Sequence, residues 1–433
     1  MMRRSVSHRL PRAMVILAAV AVTASACGIE GTKNSKVGAP EPGETITYWS
    51  MWEENEPQAT VIKEAITAFT KETAIQVKVE WQGRKVLQKL TPALRSGDVP
   101  DLVDQDGNSV RGAMVANGQH HDLSAVMSAQ VPGEGKTVAE VGPGRYRDLI
   151  TDSAGKPFLV PYEALGYGIF YNGAKHPELA AASPATWDDF IAMLDGRKAK
   201  VALDGDIGSY AALWTVHALG AELGAGKVRE LAADKTGGAW SGPQVRPALE
   251  RIEKLAKGGY FAPGSFGSKF PAMQEKWAAG QADFLLMGSW APSETQKSAP
   301  QDFQYRALPF PGMSAVQAAV IGFAVPKRAA HPAAAERFIA SFMKKERMQG
   351  LATVALNITT RPDIPAPEQL ADIARQLTNK PVTPFYEGLD TLGTYPIEVF
   401  EPVHTEFLSG KITAAEFVTR LGEKQAEFWK KNS

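Results

Sequence analysis

Alternating strand and helix signals from Thr45 to Gln105 constrain this 433-residue chain more than any other feature. Thr45 to Trp52 is rich in β-branched and aromatic residues and reads as a strand. Pro57 then opens a stretch with Val61, Ile62, Ala65, Ile66 and Phe69 at helical spacing. Ile75, Val77, Val79 and Trp81 alternate strictly, as in a half-buried strand. Val86, Leu87, Leu90 and Leu94 predict a second helix that stops at Gly97, and Asp101 to Gln105 predicts a third strand. This order calls for an α/β fold with a mostly parallel sheet covered by helices. Ligands of such sheets bind beyond the carboxyl ends of the strands. That rule singles out three loops: Trp52 to Asn55, Gln82 to Lys85 and Asp104 to Ser109.

The chain begins with a basic segment, Arg3, Arg4, Arg9 and Arg12, followed by an apolar run from Ala13 to Val22. The run is shorter than the roughly 20 residues needed to span a bilayer, so residues 1–26 are expected to be a secretory signal peptide. Thr23-Ala24-Ser25-Ala26-Cys27-Gly28 resembles a bacterial lipoprotein processing site, with Ala24 where the usual leucine would stand. The resemblance implies cleavage before Cys27 and lipid on its thiol. Cys27 is the only cysteine, so no intrachain disulfide can form and stability rests on packed cores. Residues 27–43, rich in Gly, Lys, Ser, Pro and Glu, are expected to be a flexible tether. The chain has 47 basic and 47 acidic side chains, and loss of the signal arginines leaves it slightly acidic. No basic run interleaved with aromatics points to nucleic acid. The lipoprotein resemblance implies an exported protein at the outer face of the cytoplasmic membrane, held by its lipid.

Further along, Phe158 to Asn172 is a long apolar and aromatic run, and Thr186 with Asp189 forms a capping-box pattern. Strands are predicted at Val201 to Leu203, Ala282 to Met287, Tyr305 to Leu308 and Val320 to Val325. Helices are predicted at 209–221, 243–257, 270–279, 332–344 and Ala414 to Lys431. Val131 to Arg147 is rich in Gly and Pro and receives no assignment.

Ordered blocks along almost the whole mature chain resemble the extracellular solute-binding proteins of sugar ABC importers, the maltose-binding-protein-like family in its actinobacterial form. They include Ile46-Thr47-Tyr48-Trp49-Ser50, Gly97-Asp98-Val99-Pro100-Asp101-Leu102-Val103 and Gly155 to Tyr162 closed by Tyr171-Asn172. Pro184 to Phe190, Gly280 to Trp290, and Gly322 to Lys327 followed by His331-Pro332 complete the series. The resemblance implies a two-lobed periplasmic-binding-protein-like fold with a hinge and an interlobe ligand cleft. By position, the chain would cross between lobes near 157–163, 304–310 and 350–360. Lobe 1 would then be 44–158 plus 308–350, and lobe 2 would be 160–305 plus 352–433. The function implied is capture of a sugar, a di- or oligosaccharide, by a monomer that delivers it to the permease subunits of an ABC importer. No cofactor or metal is implied.

Sugars present apolar C–H faces and a rim of hydroxyls, which suit aromatic rings and charged or amide groups respectively. Trp52 and Glu53 follow the first strand, Gln82 and Arg84 the second, and Asp104, Asp106 and Asn108 the third. Tyr162 and Glu163 sit at the first expected crossing, Trp290 follows Gly288-Ser289, and Arg361 follows the third crossing. The expected ligand set is therefore Trp52, Glu53, Arg84, Asp106, Tyr162, Glu163, Trp240, Trp290 and Arg361. Each has a plainer alternative: core packing for the tryptophans and Tyr162, and a solvated surface charge for Glu53, Arg84 and Glu163. Trp214, spaced with Tyr210 and His217, reads more simply as core, as do Trp187 and Trp429.

Enzyme patterns fail in detail. Gly135-Lys136-Thr137 lacks the first phosphate-loop glycine, Gln130 standing there, and His120-His121 lacks the one-face spacing of a zinc helix. A glycoside hydrolase using Glu163 with Glu53 or Asp106 is the rival reading from local chemistry. A non-sugar solute such as a glycerophosphodiester, or an anchored adhesin, also fits the composition.

Overall fold

The computed structural model describes residues 43–432 apart from residue 199. The expected signal peptide, Cys27 and nearly all of the tether lie outside the described residues.

Strand β1 (Thr45–Ser50), helix α1 (Pro57–Thr73), β2 (Gln76–Trp81), helix α2 (Val86–Ser96) and β3 (Leu102–Asp106) follow in the predicted order. Pro57 sits in the first turn of α1, where its missing N–H costs nothing. Gly97 ends α2 in the left-handed region at φ 94°, with its N–H donating to Ala93 O. β1 pairs parallel with β2 and β3, so the carboxyl ends of all three point the same way.

β4 (Val160–Asn172), β5 (Val201–Ala202), β6 (Phe284–Gly288), β7 (Tyr305–Leu308), β8 (Val316–Ala324) and β9 (Val382–Pro384) complete one continuous sheet. Its strand order is β2-β1-β3-β8-β4-β6-β5, with β7 beside β4 and β9 beside β8. The two long strands belong to both lobes. At one end β8 pairs with β3 (Asp106 opposite Ile321), and at the other it pairs with β9 (Val316 opposite Val382). β4 pairs with β8 over Val160–Gly166, then with β6 and β7. A bulge between Pro161 and Glu163 breaks the β4–β8 register. Opposite it, Thr360 N donates to Tyr162 O and Ala164 N donates to Ile358 O. Three backbone segments thus lie side by side where the lobes meet.

The segment expected to cross, 304–310, contains the short strand β7. Tyr305–Leu308 stays with the second lobe, paired with Ile169–Asn172, and the Phe310 ring lies 5.0 Å from that of His217. β8 begins at Val316, four residues before the predicted start, and carries the chain across.

In the first lobe an aromatic cluster joins sheet and helices. Phe323 meets Phe342 at 4.9 Å and Phe69 meets Phe338 at 5.3 Å, both edge to face. Full burial of each such side chain contributes roughly 1.5–3 kcal/mol. In the second lobe β4 alternates: Tyr167, Ile169 and Tyr171 face one core, while Phe170 faces the other side of the sheet. The helix Gly208–Leu223 is buried from Ala211 to Gly220 because other helices pack around it. The predicted capping box is present: Asp189 N donates to Thr186 Oγ1 at 3.1 Å, and Thr186 N donates to Asp189 Oδ2 at 3.0 Å.

Candidate functional site

The first lobe offers the loops beyond β1, β2 and β3. Trp52 is 4% exposed and is not a free stacking platform. Its indole N–H donates to the Tyr162 hydroxyl at 2.8 Å, which donates to Asp104 Oδ2 at 2.7 Å. Asp104 Oδ1 in turn accepts from Met51 N at 2.8 Å. Burial raises the Asp104 carboxyl from its usual range, against the pull of these hydrogen bonds. The network fixes the Trp52 ring, and the Arg84 guanidinium lies over it at 4.6 Å. Arg84 also forks onto Glu56 (Nη2–Oε1 2.6 Å, Nη1–Oε2 3.0 Å) and donates to Met51 O. Trp52 and Tyr162 therefore support the wall, and the exposed Arg84 is what the wall presents. Glu53 is exposed at the rim. Asp106 is half-buried, with Oδ1 accepting from Ser109 N.

The second lobe supplies a row of rings. Phe385 stacks on Tyr167 (4.9 Å, 14°), Trp290 meets Tyr167 edge-on (5.4 Å, 88°), and Tyr210 lies 6.2 Å from Trp290. Phe385, Trp290 and Tyr210 are half-buried, while Tyr167 is buried between them. Gly288 makes room: a Cβ there would lie 2.2 Å from the Trp290 ring. The Tyr210 hydroxyl sits beside the Trp290 indole nitrogen, which forms no hydrogen bond of normal geometry among the described residues.

Charged groups of the first lobe act on this row and its surroundings. Burial raises the Tyr167 phenol, and Tyr210, Asp390 and Asp106 push it further up. Burial raises Glu294, four residues past Trp290, while Gln274 and Arg84 hold it down. Asp106 thus acts on Tyr167 within the row, and Arg84 acts on Glu294 beside it. Two residues past Asp106, the Asn108 side-chain amide donates to Asp390 Oδ2.

Glu163 lies at the crossing itself, 1% exposed. Asn357 donates to its Oε1 at 2.5 Å, and its Oε2 has no partner among the described residues. Burial pushes this carboxyl up to about 8, with Asn357 and Arg84 opposing.

Besides Trp52, Tyr162 and Glu163, two more of the expected ligand residues are buried. Trp240 is 1% exposed inside the helical core; its indole donates to Gln425 Oε1 at 2.8 Å, and its ring packs against Phe400 and Phe417. Arg361 is 3% exposed and neutralised by Glu134 (2.8 Å) and Asp363 (2.9 Å), with Nη1 donating to Met343 O. Both are structural. Sequence reasoning missed Tyr167, Phe385 and Asp390. Tyr167 was visible as one phase of the β4 alternation, but nothing local marks Phe385 or Asp390.

Phe385 and Asp390 flank a left-handed turn: Tyr386, Glu387 and Gly388 have φ of 57°, 52° and 81°. Each non-glycine residue there costs about 1–2 kcal/mol, so the surroundings must hold it. Gln317 Oε1 accepts from Tyr386 N (3.1 Å), and the buried Glu387 carboxylate accepts from Gly226 N (2.5 Å) and Thr383 Oγ1 (3.1 Å).

Residues 52–349 match the bacterial extracellular solute-binding proteins, over more than half of the chain. The chain belongs to that family. Among its relatives is the diacetylchitobiose-binding protein NgcE of Streptomyces coelicolor, 26% identical over 282 residues. That match covers 60% of this chain and 58% of NgcE, under two thirds of its length. An uncharacterized ABC transporter extracellular-binding protein of Pyrococcus horikoshii is 25% identical over 344 residues, 76% of this chain and 77% of that one. The apo form of RafE from Streptococcus pneumoniae superposes with a TM-score of 0.74 at 20% identity, covering 90% of this chain and 99% of RafE. RafE in complex with raffinose gives 0.68 at 19% identity, covering 88% and 99%. The fold is accordingly the two-lobed one of this family, with the ligand cleft between the lobes.

Proposed function

We propose that this protein is the solute receptor of a carbohydrate ABC importer, closing two lobes over a di- or oligosaccharide. The observation that carries the reading is the cleft's two unlike walls. One is a row of rings, Phe385, Trp290 and Tyr210, long enough to meet more than one sugar ring. The other carries the hydroxyl-binding groups Arg84, Asp106 and Asn108. Glu163, whose Oε2 has no partner among the described residues, joins them at the crossing. The sugars named for NgcE and RafE, diacetylchitobiose and raffinose, agree with it. The lobes divide where β4, β8 and residues 357–361 run side by side. Ligand shifts the hinge towards closure because it touches both lobes at once only in that state. The permease then reads closure as cargo.

A thermal-shift screen of the body against mono-, di- and trisaccharides tests this. Ligand at a hundred times its Kd stabilises by about 2.7 kcal/mol, or about 3 °C for a chain of this size. A shift with one sugar class, and ligand recovered unaltered, is expected. No shift with any saccharide refutes the reading, and recovered cleavage products replace it with a hydrolase.

Delivery needs the receptor at the membrane, and Cys27 is the residue that can anchor it. Cys27→Ser is expected to move the protein from the membrane fraction to the medium or soluble fraction. Unchanged membrane fractionation counts against the anchor.

A further inference from the structure

Asp390 occupies the point where the lobes meet, and its chemistry is unfinished. Asn108 of the first lobe satisfies Oδ2, while Oδ1 is enclosed with no partner among the described residues. The charged and titratable groups around it come from both sides. Asp106 opposes it and Arg111 supports it from the first lobe. Tyr167 of β4 and Tyr386 of its own turn sense its charge. Arg229 stands behind, repelling Arg111 and donating to Thr391 Oγ1. Arg111 is bound elsewhere: its guanidinium donates to Thr151 O at 2.9 Å and Leu149 O at 3.1 Å. Two carboxylates from opposite lobes thus lie within electrostatic reach of each other, with one amide bonded to Asp390 and one of its acceptor oxygens left over among the described residues.

We infer that Asp390 is a specificity-determining residue of the cleft, accepting a hydrogen bond from a hydroxyl or ammonium of a neutral or amino sugar and, with Asp106, excluding sugars that carry a carboxylate. The inference rests on the saccharide reading above. A buried acceptor without a donor penalises ligands that cannot supply one. A ligand carboxylate would instead add a third negative charge where like-charge contact is costly.

A pH dependence follows. Burial, followed by Asp106, pushes Asp390 up to about 7, with Asn108, its own backbone N–H and Arg111 opposing. A ligand donor favours the charged carboxylate, so the bound pKa is lower than the free one and binding releases a proton. Affinity is then full above about 7 and declines as pH falls through that value.

The test is isothermal titration of wild type and Asp390→Asn at pH 6 and pH 8. The probes are neutral sugars (diacetylchitobiose, cellobiose and raffinose), the amino disaccharide chitobiose, and digalacturonate. Wild type is expected to bind at least one neutral or amino probe, any neutral one about 5–10-fold tighter at pH 8, and at pH 8, where Asp390 is ionised, digalacturonate at least about 100-fold more weakly. Asp390→Asn keeps the shape and is expected to lose about tenfold at pH 8 and most of the pH dependence. A melting temperature within a few degrees of wild type shows that the variant is folded. Unchanged affinity and pH profile in Asp390→Asn, or tight digalacturonate binding by wild type, overturns the inference while the saccharide reading stands. Wild type that binds neither these probes nor any saccharide of the thermal-shift screen removes both.

Discussion

Alanine at Trp290 is expected to weaken saccharide binding about seventyfold while leaving a folded protein. An aromatic side chain presents about 150–250 Å² of surface, and stacking uses about half of it. At about 25 cal/mol per Å² that face contributes about 2.5 kcal/mol, or about seventy in Kd. The ring lies at the middle of the row, edge-on to Tyr167 and beside Tyr210, so its loss divides the platform. Trp290→Phe keeps a smaller face and should lose less. Titration calorimetry with the best ligand of the saccharide screen reads the effect. Affinity within twofold of wild type would remove Trp290 from the site.

Alanine at Asp104 should cost about 3–5 kcal/mol of stability, since removing one partner of a buried network leaves the others unsatisfied. Both oxygens are used: Met51 N and the Tyr162 hydroxyl would lose their acceptor, and Trp52 would lose the group that orients Tyr162. Asp104→Asn retains one acceptor without the buried charge and should cost much less. Urea unfolding compares the three proteins. A loss below about 1 kcal/mol for Asp104→Ala would mean that water replaces the carboxylate and the network is not structural. Because Trp52 carries Arg84, the alanine variant should also bind sugar more weakly wherever it remains folded.

The same network explains why part of the site was legible and part was not. Residues beyond β1, β2 and β3 were located by strand order alone, since a parallel sheet sends all its carboxyl ends to one edge. Arg84 and Asp106 became candidates that way, and Trp290 by its place after a buried strand. Which of two adjacent residues faces the cleft depends on partners far away in sequence. Trp52 turns inward because Tyr162, 110 residues on, offers it an acceptor. Trp240 does so because Gln425, 185 residues on, does the same.

The sequence by itself determined the elements and their order, because hydrophobic period, caps and prolines act within a few residues: α1 starts at Pro57, α2 stops at Gly97, and Thr186 with Asp189 opens the next lobe's first long helix. The tertiary structure alone decided that β8 pairs with β3 at one end and with β9 at the other, since a strand shared by two sheet halves looks the same along its length in sequence. It also decided the far wall of the cleft. Phe385 and Asp390 reach it from a left-handed turn that local preference opposes, held by Gln317, Gly226 and Thr383 from other parts of the second lobe. Long-range hydrogen bonds can impose such a conformation, and no short-range pattern announces it.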